Sequence, residues 1–123
     1  MKAPLRDRLR AARWALSAVW TARRQLASGG VDALVLPGVP SVPREAKGGV
    51  ELVIRTVGRN CLVRAAVRQA WHAAHGREYD LIIGITPPAK GFKAHAWLEH
   101  DRGNEERFEE LLRRPASKIT AGD

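Results

Sequence analysis

A single cysteine, Cys61, stands in a chain of 123 residues. No internal disulfide can brace the fold, which excludes the small secreted disulfide scaffold. A chain this long buries roughly two-thirds of its unfolded surface, enough for one domain with its own core. Apolar residues make up 45% and charged residues 28% of it, a globular rather than a disordered balance. No apolar run approaches the roughly 18 residues that span a bilayer, so stable membrane insertion is not expected. The amino terminus imitates a signal peptide, with a basic stretch over 1–13 and an uncharged one from Trp14 to Ala22. That second stretch is short, carries Ser17 and Thr21 and runs into Arg23-Arg24, so the chain reads as soluble and cytoplasmic.

Leu5, Leu9, Ala12, Leu16, Val19, Arg23 and Leu26 recur at spacings of four and three. They predict the apolar face of a helix from about Pro4 to Ala27, begun by a proline and stopped by Gly29-Gly30. The net charge is +8, and most of it sits on this element: Lys2, Arg6, Arg8, Arg10, Arg13, Arg23 and Arg24 oppose Asp7 alone. Such a face is a solvated one, a docking surface for an acidic protein or peptide, or an interfacial helix anchored by Trp14 and Trp20. Nucleic acid is not expected as a partner, because neither interleaved aromatics nor a recognition-helix pattern accompanies the charge.

The remainder divides at Pro37, Pro40 and Pro43, whose spacing favours a semi-rigid polyproline connector over residues 37–49. Val31 to Leu36 before it is a short apolar piece, strand or helical turn. Val50, Val53, Ile54 and Val57 suggest a second helix ending near Gly58. Val63, Val67, Ala70 and Ala74 share the face of a third, with Asn60 as its N-cap, Cys61 in its first turn and Gly76 beyond its end. Tyr79 to Thr86 reads as a buried strand. Phe92 to His100 alternates, with His95, Trp97 and Glu99 on one side and Ala94, Ala96 and Leu98 on the other. Asn104 to Arg114 reads as a short charged helix with Phe108, Leu111 and Leu112 inward, ended by Pro115. Residues 50–115 are expected to form the catalytic core and 116–123 a frayed tail, all within one domain.

One constellation carries chemistry. A helix amino terminus favours thiolate over thiol, and a nearby imidazole can serve as base and then acid. Cys61 and His95 supply that pair if the strand meets the helix; otherwise Cys61 is structural. Metal is not expected: the histidines at 72 and 75 lie about three helical turns from the only cysteine, too far to share an ion. His72 is expected to pack and His75 to cap the helix end. No cofactor is implied.

Three stretches sharpen this reading: NCLVRA at 60–65, IIGIT at 82–86 and GFKAHAWLEHD at 91–101. Their Cys-Leu-x-Arg and Phe-x-Ala-His-Ala-Trp-x-Glu patterns resemble the transglutaminase-like cysteine peptidases of lasso-peptide gene clusters, over roughly residues 50–115. The resemblance implies an α+β, papain- or transglutaminase-like fold, with the nucleophile helix packed on a small antiparallel sheet. It implies removal of the leader from a ribosomally made precursor through an acyl-enzyme on Cys61, with His95 as base. It also implies a separate leader-binding protein and, downstream, an ATP-dependent lasso cyclase. Arg6, Arg10 and Arg13 would then form a docking surface for that protein or the leader.

Arg64, Trp97 and Glu99 are expected to support the site, with Arg64 holding Glu99 in an ion pair. The family places a carboxylate about a dozen positions after its histidine; here Arg107 stands there. Glu106, followed closely by Phe108, is the first choice for the third catalytic member, with Asp101 and Glu105 as alternatives. Two other functions fit the same residues: a basic binding module with weak or lost turnover, for protein or nucleic acid, and an acyl transferase on the same fold.

Overall fold

The computed structural model describes residues 3–58, 60–86, 91, 93–101, 104 and 107–116. Helix α1 spans Leu5–Ser28, α2 Lys47–Thr56 and α3 Cys61–Ala74; strands β1 (Leu81–Ile85), β2 (Ala94–Leu98) and β3 (Glu109–Arg114) follow. Short 3-10 turns occupy Val31–Ala33 and Arg44–Ala46. The sheet is antiparallel with order β2-β1-β3. This is the expected α+β class, three helices packed with a small three-stranded sheet.

Helix α1 has nearly the predicted limits but buries a different face. Ala11, Trp14, Ala15, Ala18, Val19 and Ala22 are buried, whereas Leu5, Leu9, Leu16 and Trp20 are exposed. The reason is the closeness of α2. A Cβ added at Gly49 of α2 would collide with the Arg8 carbonyl oxygen and stand 3.2 Å from the Ala12 nitrogen. Backbones this near leave room only for alanine and glycine between them. Arg23 hydrogen-bonds the Val57 carbonyl, tying α1 to the end of α2. The stretch read as connector is fastened too: Trp14 Nε1 donates to Pro37 O at 2.9 Å, and Val42 and Ala46 are buried. Its last residues, Lys47–Gly49, already belong to α2.

The largest correction concerns the third strand. The segment expected as a helix over Asn104–Arg114 is β3 from Glu109 onward, with Leu111 (65%) and Leu112 (45%) exposed rather than inward. Glu, Leu and Arg are good helix formers, but β1 is a central strand whose second edge needs backbone partners. Pairing runs Leu81↔Arg114, Ile82↔Arg113 and Ile83↔Leu112, then shifts at Ile83/Gly84 to Gly84↔Glu110 and Ile85↔Glu109. Tertiary demand here outweighs local propensity.

Buried Arg114 locks β3 in place. Its guanidinium donates to Gln69 Oε1 at 3.0 Å and Leu34 O at 2.7 Å, while Gln69 Nε2 donates to Arg114 O at 2.9 Å and Tyr79 O at 3.0 Å. These bonds join β3 to α3 and to the chain leaving α1. The core runs continuously from α1 through Val50, Ile54, Val67 and Trp71 to Leu81 and Leu98 of the sheet.

Candidate active site

The site lies where the amino end of α3 meets β2. Asn60 has extended backbone, and its Oδ1 accepts the Leu62 N–H at 2.7 Å, the expected N-cap. Cys61 follows as the first helical residue, half-buried and free. Positions 61, 64, 65 and 68 share one helical face, and all four border a cleft of about 320 Å³. The opposite wall is β2, from His95 through Leu98, with Asp101 and Asn104 at one end. Cys61 and His95, the two residues expected to carry the chemistry, therefore both border this cleft, with the His95 ring on the face of the sheet turned away from α3, beside Trp97 and Phe108.

Aromatic rings hold the imidazole of His95. It stacks on Trp97, with centroids 5.8 Å apart and planes 22° apart, and lies 5.1 Å from Phe108. Gly84 makes this possible, because a Cβ there would stand 2.7 Å from the Trp97 ring. No carboxylate hydrogen-bonds His95 among the described residues. Asp101 borders the cleft but turns elsewhere: its Oδ2 accepts the Leu98 N–H at 3.3 Å and its Oδ1 lies 3.6 Å from His100 Nε2. Glu105 and Glu106 lie outside the described residues.

The expected Arg64–Glu99 pair does not form. Arg64 Nε donates to the Gly58 carbonyl, six residues back and ahead of the helix. Glu99 instead faces Arg113 at 3.4 Å and accepts the Asp80 N–H at 3.0 Å. Arg113 comes from β3, also binding Asp80 at 3.0 Å and Glu110 at 2.7 Å, so the segment expected as a helix supplies the cation that faces Glu99 in place of Arg64. Arg113 is held well above its usual range by those hydrogen bonds. Sequence reasoning also passed over Arg68, although its place one turn beyond Arg64 was a usable signal. It forms a two-pronged pair with Glu51 at 2.9 and 3.1 Å. Burial works to raise the Glu51 carboxyl, but the hydrogen bonds and charge of Arg68 outweigh it and hold the group below its usual value. Arg64 is thus the cation in the cleft without a carboxylate partner among the described residues.

At the far end of α3, His72 packs as expected, edge-on to Tyr79 at 5.2 Å and His100 at 5.4 Å. Burial, followed by the nearby Lys47, His100 and Arg77, pushes its pKa down to about 4. His75 caps the helix, its Nδ1 2.8 Å from Trp71 O and its Nε2 2.9 Å from Val42 O.

A half-buried thiol at a helix amino terminus, sharing a cleft with a histidine on an antiparallel strand, is an arrangement suited to nucleophilic acyl chemistry. The chain belongs to the transglutaminase-like superfamily, which it matches over residues 3–110. No match was found among curated proteins or among solved structures. Among the described residues no helix is long and apolar enough to cross a membrane.

Proposed function

We propose that this protein is a cytoplasmic cysteine peptidase that removes the leader from a lasso-type precursor peptide. The observation that supports it most is the shared cleft of Cys61 and His95 in a transglutaminase-like chain. His95 takes the proton of the Cys61 thiol as the sulfur attacks the scissile carbonyl; the C–N bond then breaks to leave a thioester, and His95 passes that proton to the departing amine. Water, deprotonated by His95, attacks the thioester carbonyl, the C–S bond breaks, and the Cys61 sulfur takes the proton back from His95. The Leu62 N–H is committed to Asn60, so the Cys61 N–H is the donor assigned to the developing oxyanion. The ring stack on Trp97 and Phe108 orients His95, and Glu106 is the carboxylate that the family resemblance offers as third member.

Helix α1 supports the partner reading. Leu5 and Leu9 stand exposed among Arg6, Arg10 and Arg13, lining a shallow groove that suits an acidic leader-binding protein, which would deliver the precursor before a lasso cyclase acts.

Incubation with an unbiased peptide library, read by mass spectrometry, tests the chemistry. Cleaved products should carry one added water, and Cys61→Ala and His95→Ala should each abolish them without altering circular dichroism. Residual cleavage by both variants overturns the peptidase reading; a new amide in place of the added water points to acyl transfer. Separately, glutamate at Arg6, Arg10 and Arg13 should weaken complex formation with the leader-binding protein and remove its salt dependence. Unchanged binding would sink the docking surface.

A further inference from the structure

We propose that a peptide binds as an added strand on the free edge of β2, bonded main chain to main chain at Ala96 beside the cleft and at Ala94 just beyond it. This rests on the peptidase reading for what the bound peptide undergoes, though not for how it binds.

Three observations carry it. First, the cleft touches His95, Ala96, Trp97 and Leu98 in succession. Consecutive strand residues point to opposite faces of a sheet, so a cavity that meets all four runs along the strand's edge. Among the described residues β2 is the outermost strand on that side, and β1 contributes nothing to the cleft.

Second, the hydrogen-bond parity turns the right groups outward. Thr86 N–H donates to Lys93 O and Glu99 N–H to Asp80 O, both at 2.9 Å. With the register Gly84↔His95 and Ile82↔Trp97, odd-numbered residues of β2 bond inward to β1. Residues 94, 96 and 98 therefore direct N–H and C=O to the open edge. Asp101 takes the Leu98 N–H at 3.3 Å, which closes one end and leaves Ala94 and Ala96. Ala96 belongs to the core cluster through its methyl, so what it offers the cleft is main chain.

Third, the two outer strands are built differently. On β3, Glu109, Glu110 and Arg113 stud the segment with charge, which discourages pairing with another chain. On β2, the run from Ala94 to Leu98 carries no Lys, Arg, Asp or Glu, and its two alanines let a second backbone approach. A peptide bound there passes between Cys61 on the helix side and His95 on the other face. Strand addition lets many sequences bind through one backbone pattern.

The probe is the tightest octapeptide that the full-length Cys61→Ala protein retains from the same unbiased library, with each backbone amide N-methylated in turn. Only alternate residues of an added strand bond to the edge. Affinity should fall about tenfold at every second position and stay within about twofold between them. Loss at every position alike, loss at a single one, or no retained peptide overturns the proposal. Ala96→Pro removes an outward donor and no ladder bond, so it should weaken binding about tenfold with circular dichroism retained; unchanged affinity would count against the edge. Should it unfold, the N-methyl scan decides alone. Alternation without cleavage by the wild-type protein sinks the peptidase reading and spares this one; cleavage without alternation does the reverse.

Discussion

Helices α1 and α3 both carry an apolar stripe, yet only α3 buries most of the one its sequence advertises. On α3, Val63, Val67 and Ala70 are buried and only Ala74, at the helix end, is exposed; the helix packs on β2 and β1, where room for full-sized side chains exists. On α1 the leucines at 5, 9 and 16 face solvent while alanines at 11, 15, 18 and 22 are buried. The difference is the partner's distance. At Gly49 the backbone of α2 comes so near α1 that a methyl group has no space. An apolar stripe marks the core face when the neighbour stands a normal side chain away; at closer range, small residues mark it.

The sharpest way to break this contrast is at two adjacent glycines of α2. Alanine at Gly49 gains about 1 kcal/mol of helix propensity, but its methyl meets the Arg8 backbone, which cannot rotate away. Helix displacement should cost about 3 kcal/mol, for a net loss of about 2 kcal/mol in denaturant titration. Gly48 has open space where a Cβ would go, so Gly48→Ala should gain up to about 1 kcal/mol. Leu16→Ala on the exposed stripe should change stability by no more than about 0.5 kcal/mol. Equal losses at Gly48 and Gly49, or a large loss at Leu16, would refute the close-packing account.

The helices also differ in their response to pH. The described charges of α1 are arginines and Asp7, whereas α3 buries a histidine. Because His72 is held near 4 when folded against about 6.5 when unfolded, the unfolded chain binds the extra proton between those values. The stabilising contribution is complete above pH 6.5 and is lost as pH falls towards 4, on the order of 2 kcal/mol. Thermal melts of the wild type and His72→Phe at pH 7 and 4.5 should show a smaller acid loss in the variant. Identical acid losses would mean that His72 is not the group responsible.

How much of this was legible follows from which forces are local. The α3 start could be read from Asn60, Cys61 and the Val63–Val67–Ala70 period, because capping and helical spacing act within a few residues. The β-branched run of β1 and the alternation of β2 were equally plain. Leu111 and Leu112 misled because EELLRR suits a helix in isolation, and only the open edge of β1, more than twenty residues earlier, makes it a strand. The consequence reaches the site: only with β3 in place does Arg113 stand beside Glu99, and Arg64 holds no carboxylate among the described residues. Cys61 and His95 border one cleft because the start of α3 packs beside β2; the spacing of the two residues in the sequence does not determine this, since it depends on how the helix and the strand pack.

The smallest expected effect concerns how the two helices begin. Asn60 satisfies the Leu62 amide through its side chain, while Pro4 opens α1 without any side-chain cap bond. Asn60→Ala should therefore cost about 1 kcal/mol in denaturant titration, and Pro4→Ala only a few tenths. Asn60→Asp, which keeps the cap acceptor, should restore the stability lost in Asn60→Ala. Equal losses in the two variants, or none in Asn60→Ala, would mean that this side chain does not cap α3.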